Sequence, residues 1–145
     1  MNVSRFIGGI ALLLVLAGCF SGAGPGYWKQ LAGPYWVHWV DTSDDTTIVW
    51  RLRNGASVSN GLPGPQVYAA GFDEAYIVAA VHPYAASDRK PDESATEFWY
   101  VGRIRDAKGR DVSTGSINGP LDRQQYDAEV TRLHLPEFSW LLRGT

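Results

Sequence analysis

The feature that most constrains this chain is a pair of strand-like segments that are apolar on both sides. Successive side chains of a β-strand point to opposite faces. In Tyr35–Asp41, Tyr35, Val37 and Trp39 therefore share one side and Trp36, His38 and Val40 the other. In Glu97–Arg105, Phe98 with Tyr100 opposes Trp99 with Val101. A sheet made of such strands cannot leave both faces in water. It must curl on itself, pack against a second sheet, or keep an aromatic surface for a partner.

The region from Tyr27 to Val101 carries the same signature, with runs rich in aromatic and β-branched residues between clusters of Gly, Pro, Asn, Asp and Ser. Strands are expected at Trp28–Leu31, Tyr35–Asp41, Thr46–Arg53, Gln66–Phe72, Ala75–His82 and Glu97–Arg105. Ser43-Asp44-Asp45 and Gly71-Phe72-Asp73-Glu74 have the composition of hairpin turns. Strands this close in sequence usually pair with their neighbours, which predicts an antiparallel meander. Asn54–Pro65 and Pro83–Thr96 are expected as two long exposed loops. Lys108-Gly109-Arg110-Asp111 reads as a turn into a weak strand or coil ending at Ile117.

One helix is well signalled near the carboxyl end. Asp122 is placed to cap it, with Gln125 three residues later to complete a capping box and Leu121 and Tyr126 to close a hydrophobic staple. Tyr126, Val130 and Leu133 fall on one helical face, which is expected to lie on the sheet. Pro136 ends the helix, and Phe138, Trp140, Leu141 and Leu142 form an apolar tail that packs back. The fold expected is mainly β, in the α+β class: an antiparallel meander, curled or two-layered, with one carboxyl-terminal α-helix packed on it.

The amino end is of a different kind. Arg5 precedes an apolar run, Phe6–Ala17, broken only by Gly8 and Gly9. That order of charge, apolar stretch and small residues is the order of a secretory signal peptide. A membrane-spanning helix needs about 20 apolar residues, more than this run has. Leu16-Ala17-Gly18-Cys19 resembles the lipobox of bacterial lipoproteins. The resemblance implies that the Cys19 thiol receives a diacylglycerol, that the leader is cut just before it, and that acyl chains such as palmitate anchor the protein to a membrane. Phe20 is not the Asp that retains enteric lipoproteins in the inner membrane, so the same resemblance favours the outer membrane, with the domain facing the periplasm. The chain then divides into a signal peptide (1–18), a lipid-anchored flexible tether (19–26) and one β-rich globular domain (27–145). Cys19 is the only cysteine, so once it is acylated the domain has no thiol for a disulfide, a nucleophile or a zinc site.

The domain itself looks similar to a family of small bacterial lipoproteins of unknown function. The likeness rests on Val67-Tyr68-Ala69-Ala70-Gly71-Phe72, Tyr76-Ile77-Val78-Ala79, Phe98-Trp99-Tyr100-Val101 and Gly119-Pro120-Leu121-Asp122. It carries no catalytic residues to transfer.

Formal net charge is −2. Loss of Arg5 with the leader makes it −3, with no Lys/Arg-rich run of the kind that nucleic-acid binding requires. His38, His82 and His134 stand in no metal-motif spacing. His38 and His82, with Asp41 or Asp73, would be needed for acid/base or metal chemistry; hydrogen-bonded strand histidines are the more common outcome. Asp41, Asp44 and Asp45, and Asp73 with Glu74, lack the pattern of a calcium loop and read as turn residues. Gly61-Leu62-Pro63-Gly64 has prolines where a phosphate loop needs amides. No cofactor, metal or enzymatic role is expected.

The six tryptophans remain, Trp28, Trp36, Trp39, Trp50, Trp99 and Trp140. Most are needed to fill a small core. Trp36, Trp39 and Trp99 are the candidate ligand-binding residues. The leading expectation is a non-enzymatic, protein-binding envelope lipoprotein, either an accessory subunit or an inhibitor of the immunity type. A peptidoglycan-binding module using surface Trp and Tyr rings is the alternative, and an enzyme ranks last.

Overall fold

The computed structural model describes residues 26–85 and 90–142. The signal peptide, Cys19 and the tether up to residue 25 lie outside the described residues, as do 86–89 within the second long loop. The domain is a sandwich of two antiparallel sheets. One holds β1 (Tyr27–Ala32), β2 (Tyr35–Trp39), β3 (Thr47–Arg51) and β4 (Ser57–Val58) in that order. The other has the order β8-β7-β6-β5-β9, formed by β5 (Val67–Phe72), β6 (Tyr76–Val81), β7 (Glu97–Arg105), β8 (Asp111–Leu121) and β9 (Trp140–Leu141). A single helix, α1 (Arg123–Leu133), is described between β8 and β9.

The strands that are apolar on both sides explain this layering. Tyr35, Val37 and Ile48 from the first sheet meet Val67, Ile77, Ala79, Val81 and Val101 from the second in one buried core. The opposite side of the second sheet carries Val78, Ala80, Phe98 and Tyr100, and there α1 and the tail cover it. Phe98 stacks on Tyr126 of the helix at 4.7 Å, with Phe138 of the tail beside both. Burying each such ring contributes on the order of 2 kcal/mol. The five-stranded sheet is thus covered on both faces, and its near-continuous apolar strands follow from that.

The capping box forms as the sequence predicts. The Asp122 carboxylate accepts from the Gln125 amide at 2.8 Å, and the Gln125 side chain accepts from the Asp122 amide at 2.9 Å. His134 ends the helix in the left-handed conformation, φ 54°. The tail packs back by adding a strand: Leu141 pairs with Ala69 and Trp140 with Ala70. To get there it crosses Gly71 so closely that a Cβ would collide with the backbone of Glu137 and Phe138.

Of the forms expected for the meander, the two-layered one is realised, because the chain leaves the first sheet after β4 and starts the second at β5. Two expectations are corrected. Within Asn54–Pro65, expected to be an exposed loop, Leu62 and Pro63 are buried. The Pro63 carbonyl accepts from the Ile48 amide at 2.9 Å, so this segment satisfies the edge of β3 where β4 does not reach. Finally, the weak element after Asp111 is an eleven-residue strand that runs to Leu121. It is an edge strand with three register shifts against β7. An edge position tolerates the Gly, Ser and Pro120 that hid it.

Candidate functional site

Among the described residues, no helix lies over the face of the four-stranded sheet that points away from the core. Alternation places Trp28 of β1, Trp36 and His38 of β2, and Val49 and Arg51 of β3 on that face. Trp28 lies opposite His38, and Trp36 lies opposite both Gln30 and Val49, so the two indoles and Arg51 are diagonal neighbours across three strands. Trp28 stacks on the His38 ring at 3.6 Å and meets Trp36 edge-on at 6.4 Å. The Arg51 guanidinium sits over both indoles, 5.1 Å from Trp28 and 5.0 Å from Trp36. Each such cation–π contact contributes about 0.5–1 kcal/mol at an exposed site.

This patch is ordered from beneath and open above. His38 Nδ1 donates to the Tyr27 carbonyl at 3.1 Å, which fixes its ring. Val49, opposite Trp36, is buried. Trp28 nevertheless keeps 40% of its surface exposed, and Val40 at the end of the same face keeps 53%. The result is a mixed apolar and cationic surface on rigid strands.

The three tryptophans expected to bind ligand do not share a site. Trp36 belongs to the patch. Trp39 points to the opposite side of β2, where it stacks on Tyr27 at 4.0 Å. These two rings, with Lys29 and Trp140, border a cleft of about 650 Å³, and Trp140 Nε1 donates to the Tyr27 hydroxyl at 3.3 Å. Trp99 packs against the core between the sheets, and its indole nitrogen is buried without a hydrogen-bond partner among the described residues. Trp28 and Arg51 complete the patch, and the signal for them was the strand period read together with pairing, which one strand alone does not contain.

The histidines are placed apart. His38 is in the first sheet, while His82 follows β6 in the second, donates from Nδ1 to the Ala95 carbonyl at 2.9 Å and stacks on Tyr68. The nearby Asp92 carboxyl is held below the usual carboxylate range mainly by hydrogen bonds from Ser94, with a smaller contribution from His82. Asp73 acts within its turn, accepting from the amides of Ala75 and Tyr76 at 2.7 Å each. Among the described residues no three His, Cys, Asp or Glu side chains converge to hold a metal ion.

Comparison with family models, with curated proteins and with solved structures finds no match to this chain.

Proposed function

We propose that the chain is a lipid-anchored protein of the bacterial envelope with a non-enzymatic, protein-binding role, exercised through the outer face of the four-stranded sheet. The anchor is read from Leu16-Ala17-Gly18-Cys19, and the outer membrane, facing the periplasm, is its proposed location. The eight residues from Cys19 to Gly26 span a contour length of at most about 25 Å. The domain would therefore work close to the membrane surface.

One observation carries the binding role. Of the two outer faces of the sandwich, one is covered by α1 and the tail, while the other presents Trp28, Trp36 and Arg51 in a preassembled cluster. Trp and Arg are the residue types most enriched where protein partners bind. A glycan reading is less favoured, because sugars stack on free aromatic faces and His38 and Arg51 already engage these rings.

The test is a photo-crosslinking amino acid in place of Trp28 in the full chain, produced in the source bacterium, with a control at Gln124 on the exposed side of α1. A discrete protein adduct from position 28, absent from position 124 and diminished by Arg51→Ala, is expected. No adduct from position 28 would sink the proposal. So would loss of retention on purified peptidoglycan in a Trp28→Ala, Trp36→Ala variant without any protein adduct, which would establish the glycan alternative instead.

A further inference from the structure

Arginine is distributed unevenly over this molecule. Five of the seven arginines among the described residues, Arg51, Arg53, Arg103, Arg105 and Arg110, line one cleft of about 690 Å³ between the two sheets. This concentration stands out in a chain whose formal net charge is −2. The spacing explains it. Arg103 and Arg105 follow Val101 along β7 at the strand period of two, on the side that faces the first sheet, and Arg51-Leu52-Arg53 leaves β3 just across from them.

Not all of these charges are free to bind. Arg103 is committed to the buried Asp111, and Arg110 is held by Asp106 at 2.7 Å. Arg105 donates from Nε to the Gly109 carbonyl at 2.8 Å and reaches the almost wholly exposed Glu74 carboxylate only at 3.8 Å, so its terminal nitrogens have no close carboxylate among the described residues. Arg51 and Arg53 have no carboxylate partner among the described residues. Five guanidinium groups thus stand against three nearby carboxylates, two of which are already bound in forked pairs. The Arg51 guanidinium already lies over Trp28 and Trp36, which leaves Arg53 and the terminal nitrogens of Arg105 to meet an incoming carboxylate.

The cleft does not end in polar surface. It shares Trp50, Leu52 and Val112 with an adjoining apolar groove of about 250 Å³, closed on its far side by Val58 and Leu62. That groove holds one or two side chains. It also runs between β4 and β8, the terminal strands of their sheets, whose outward main-chain groups are a template that an extended polypeptide can pair with.

We infer that this cleft seats an acidic polypeptide segment of the partner, with carboxylates on Arg53 and Arg105 and a large apolar side chain in the groove lined by Leu52, Leu62 and Val112. The inference rests on the protein-binding reading, and Arg51 is the residue that the cleft and the tryptophan patch have in common.

The experiment measures fluorescence anisotropy of a labelled decapeptide of alternating Glu and Leu with the full chain purified in detergent. Peptides in which Gln or Lys replaces Glu serve as controls, as do vesicles containing an anionic phospholipid. Binding of the Glu peptide that weakens with salt is expected, with affinity lower by about tenfold or more for the Gln peptide and for the Arg53→Glu, Arg105→Glu variant. Leu52→Ala should weaken it too, while far-ultraviolet circular dichroism of both variants stays unchanged. Equal affinity for the Glu and Gln peptides, or wild-type affinity in Arg53→Glu, Arg105→Glu, would overturn the inference. Arginine-dependent binding of the vesicles without binding of the peptide would overturn it as well and assign the cleft to lipid headgroups. Crosslinking from position 28 that survives loss of the cleft arginines leaves the protein-binding reading standing while removing the cleft from it.

Discussion

Arg103 and Asp111 meet diagonally across the hairpin of β7 and β8, joined by two hydrogen bonds of 2.8 and 2.7 Å with side chains only 7% and 2% exposed. The pair also lies against the first sheet at Gly33. Gly33, in the turn between β1 and β2, approaches the Asp111 carboxylate so closely that any side chain there would displace it, and its φ of +51° suits glycine. A third bond from Arg103, to the Asp73 carbonyl, ties in the turn before β6. Removing one partner leaves a buried charge uncompensated. Asp111→Ala is therefore expected to lose about 3–5 kcal/mol of stability in urea unfolding. Arg103→Met combined with Asp111→Leu should recover most of that loss.

Stability should fall at alkaline pH through two buried tyrosines. Burial, with the Asp111 charge added for Tyr35, pushes the phenols of Tyr35 and Tyr126 up to about 12, above the ordinary 10.0. The folded state therefore favours their protonated form. This contribution is fully present below pH 10 and is lost as pH rises through about 12. Ionising each group inside the fold therefore costs on the order of 2–3 kcal/mol of stability once the pH has passed about 12. Urea midpoints measured across this range should hold to pH 10 and then drop, together with a late rise in tyrosinate absorbance.

The Tyr35 hydroxyl is buried without a hydrogen-bond partner among the described residues. An unsatisfied polar group costs free energy that its deletion returns. Tyr35→Phe is accordingly expected to unfold at the same or slightly higher urea concentration, by up to about 1 kcal/mol. It should also flatten the alkaline loss. A decrease of similar size would show that the hydroxyl is satisfied in solution.

Gly71→Ala places a methyl group against the backbone of Glu137 and Phe138, which cannot move without withdrawing β9 from β5. Overpacking of this kind costs about 1–3 kcal/mol. Limited proteolysis should cut after α1 in the variant and not in the parent chain.

Cys19→Ala is expected to abolish incorporation of a labelled fatty acid and to release the protein from membranes. Full labelling of the variant would refute the anchor.

Much of this architecture was readable from particular residues. The two apolar sides of Phe98-Trp99-Tyr100-Val101 demanded a cover on each face, and the core and the helix supply them. Asp122 and Gln125 marked the helix start because capping is local chemistry. The strand Asp111–Leu121 was harder, because an edge strand is held by main-chain pairing that leaves little pattern in its side chains. The arginine cleft left a faint trace, Arg-x-Arg at 51 and 53 and again at 103 and 105. Nothing local says that the two pairs meet.

By itself, the sequence determined the type and approximate extent of most strands, the helix and its cap, and the thiol-free character of a domain whose single cysteine lies in the lipobox-like motif. These depend on period, on capping and on composition, which act over a few residues. Tertiary structure alone decided that the meander splits after β4, that Trp36, Trp39 and Trp99 part company, and that Trp28, Trp36 and Arg51 come together. Those outcomes depend on the register between strands and on which sheet each strand joins. Both are set by burying all the apolar faces at once, a condition that no single segment contains.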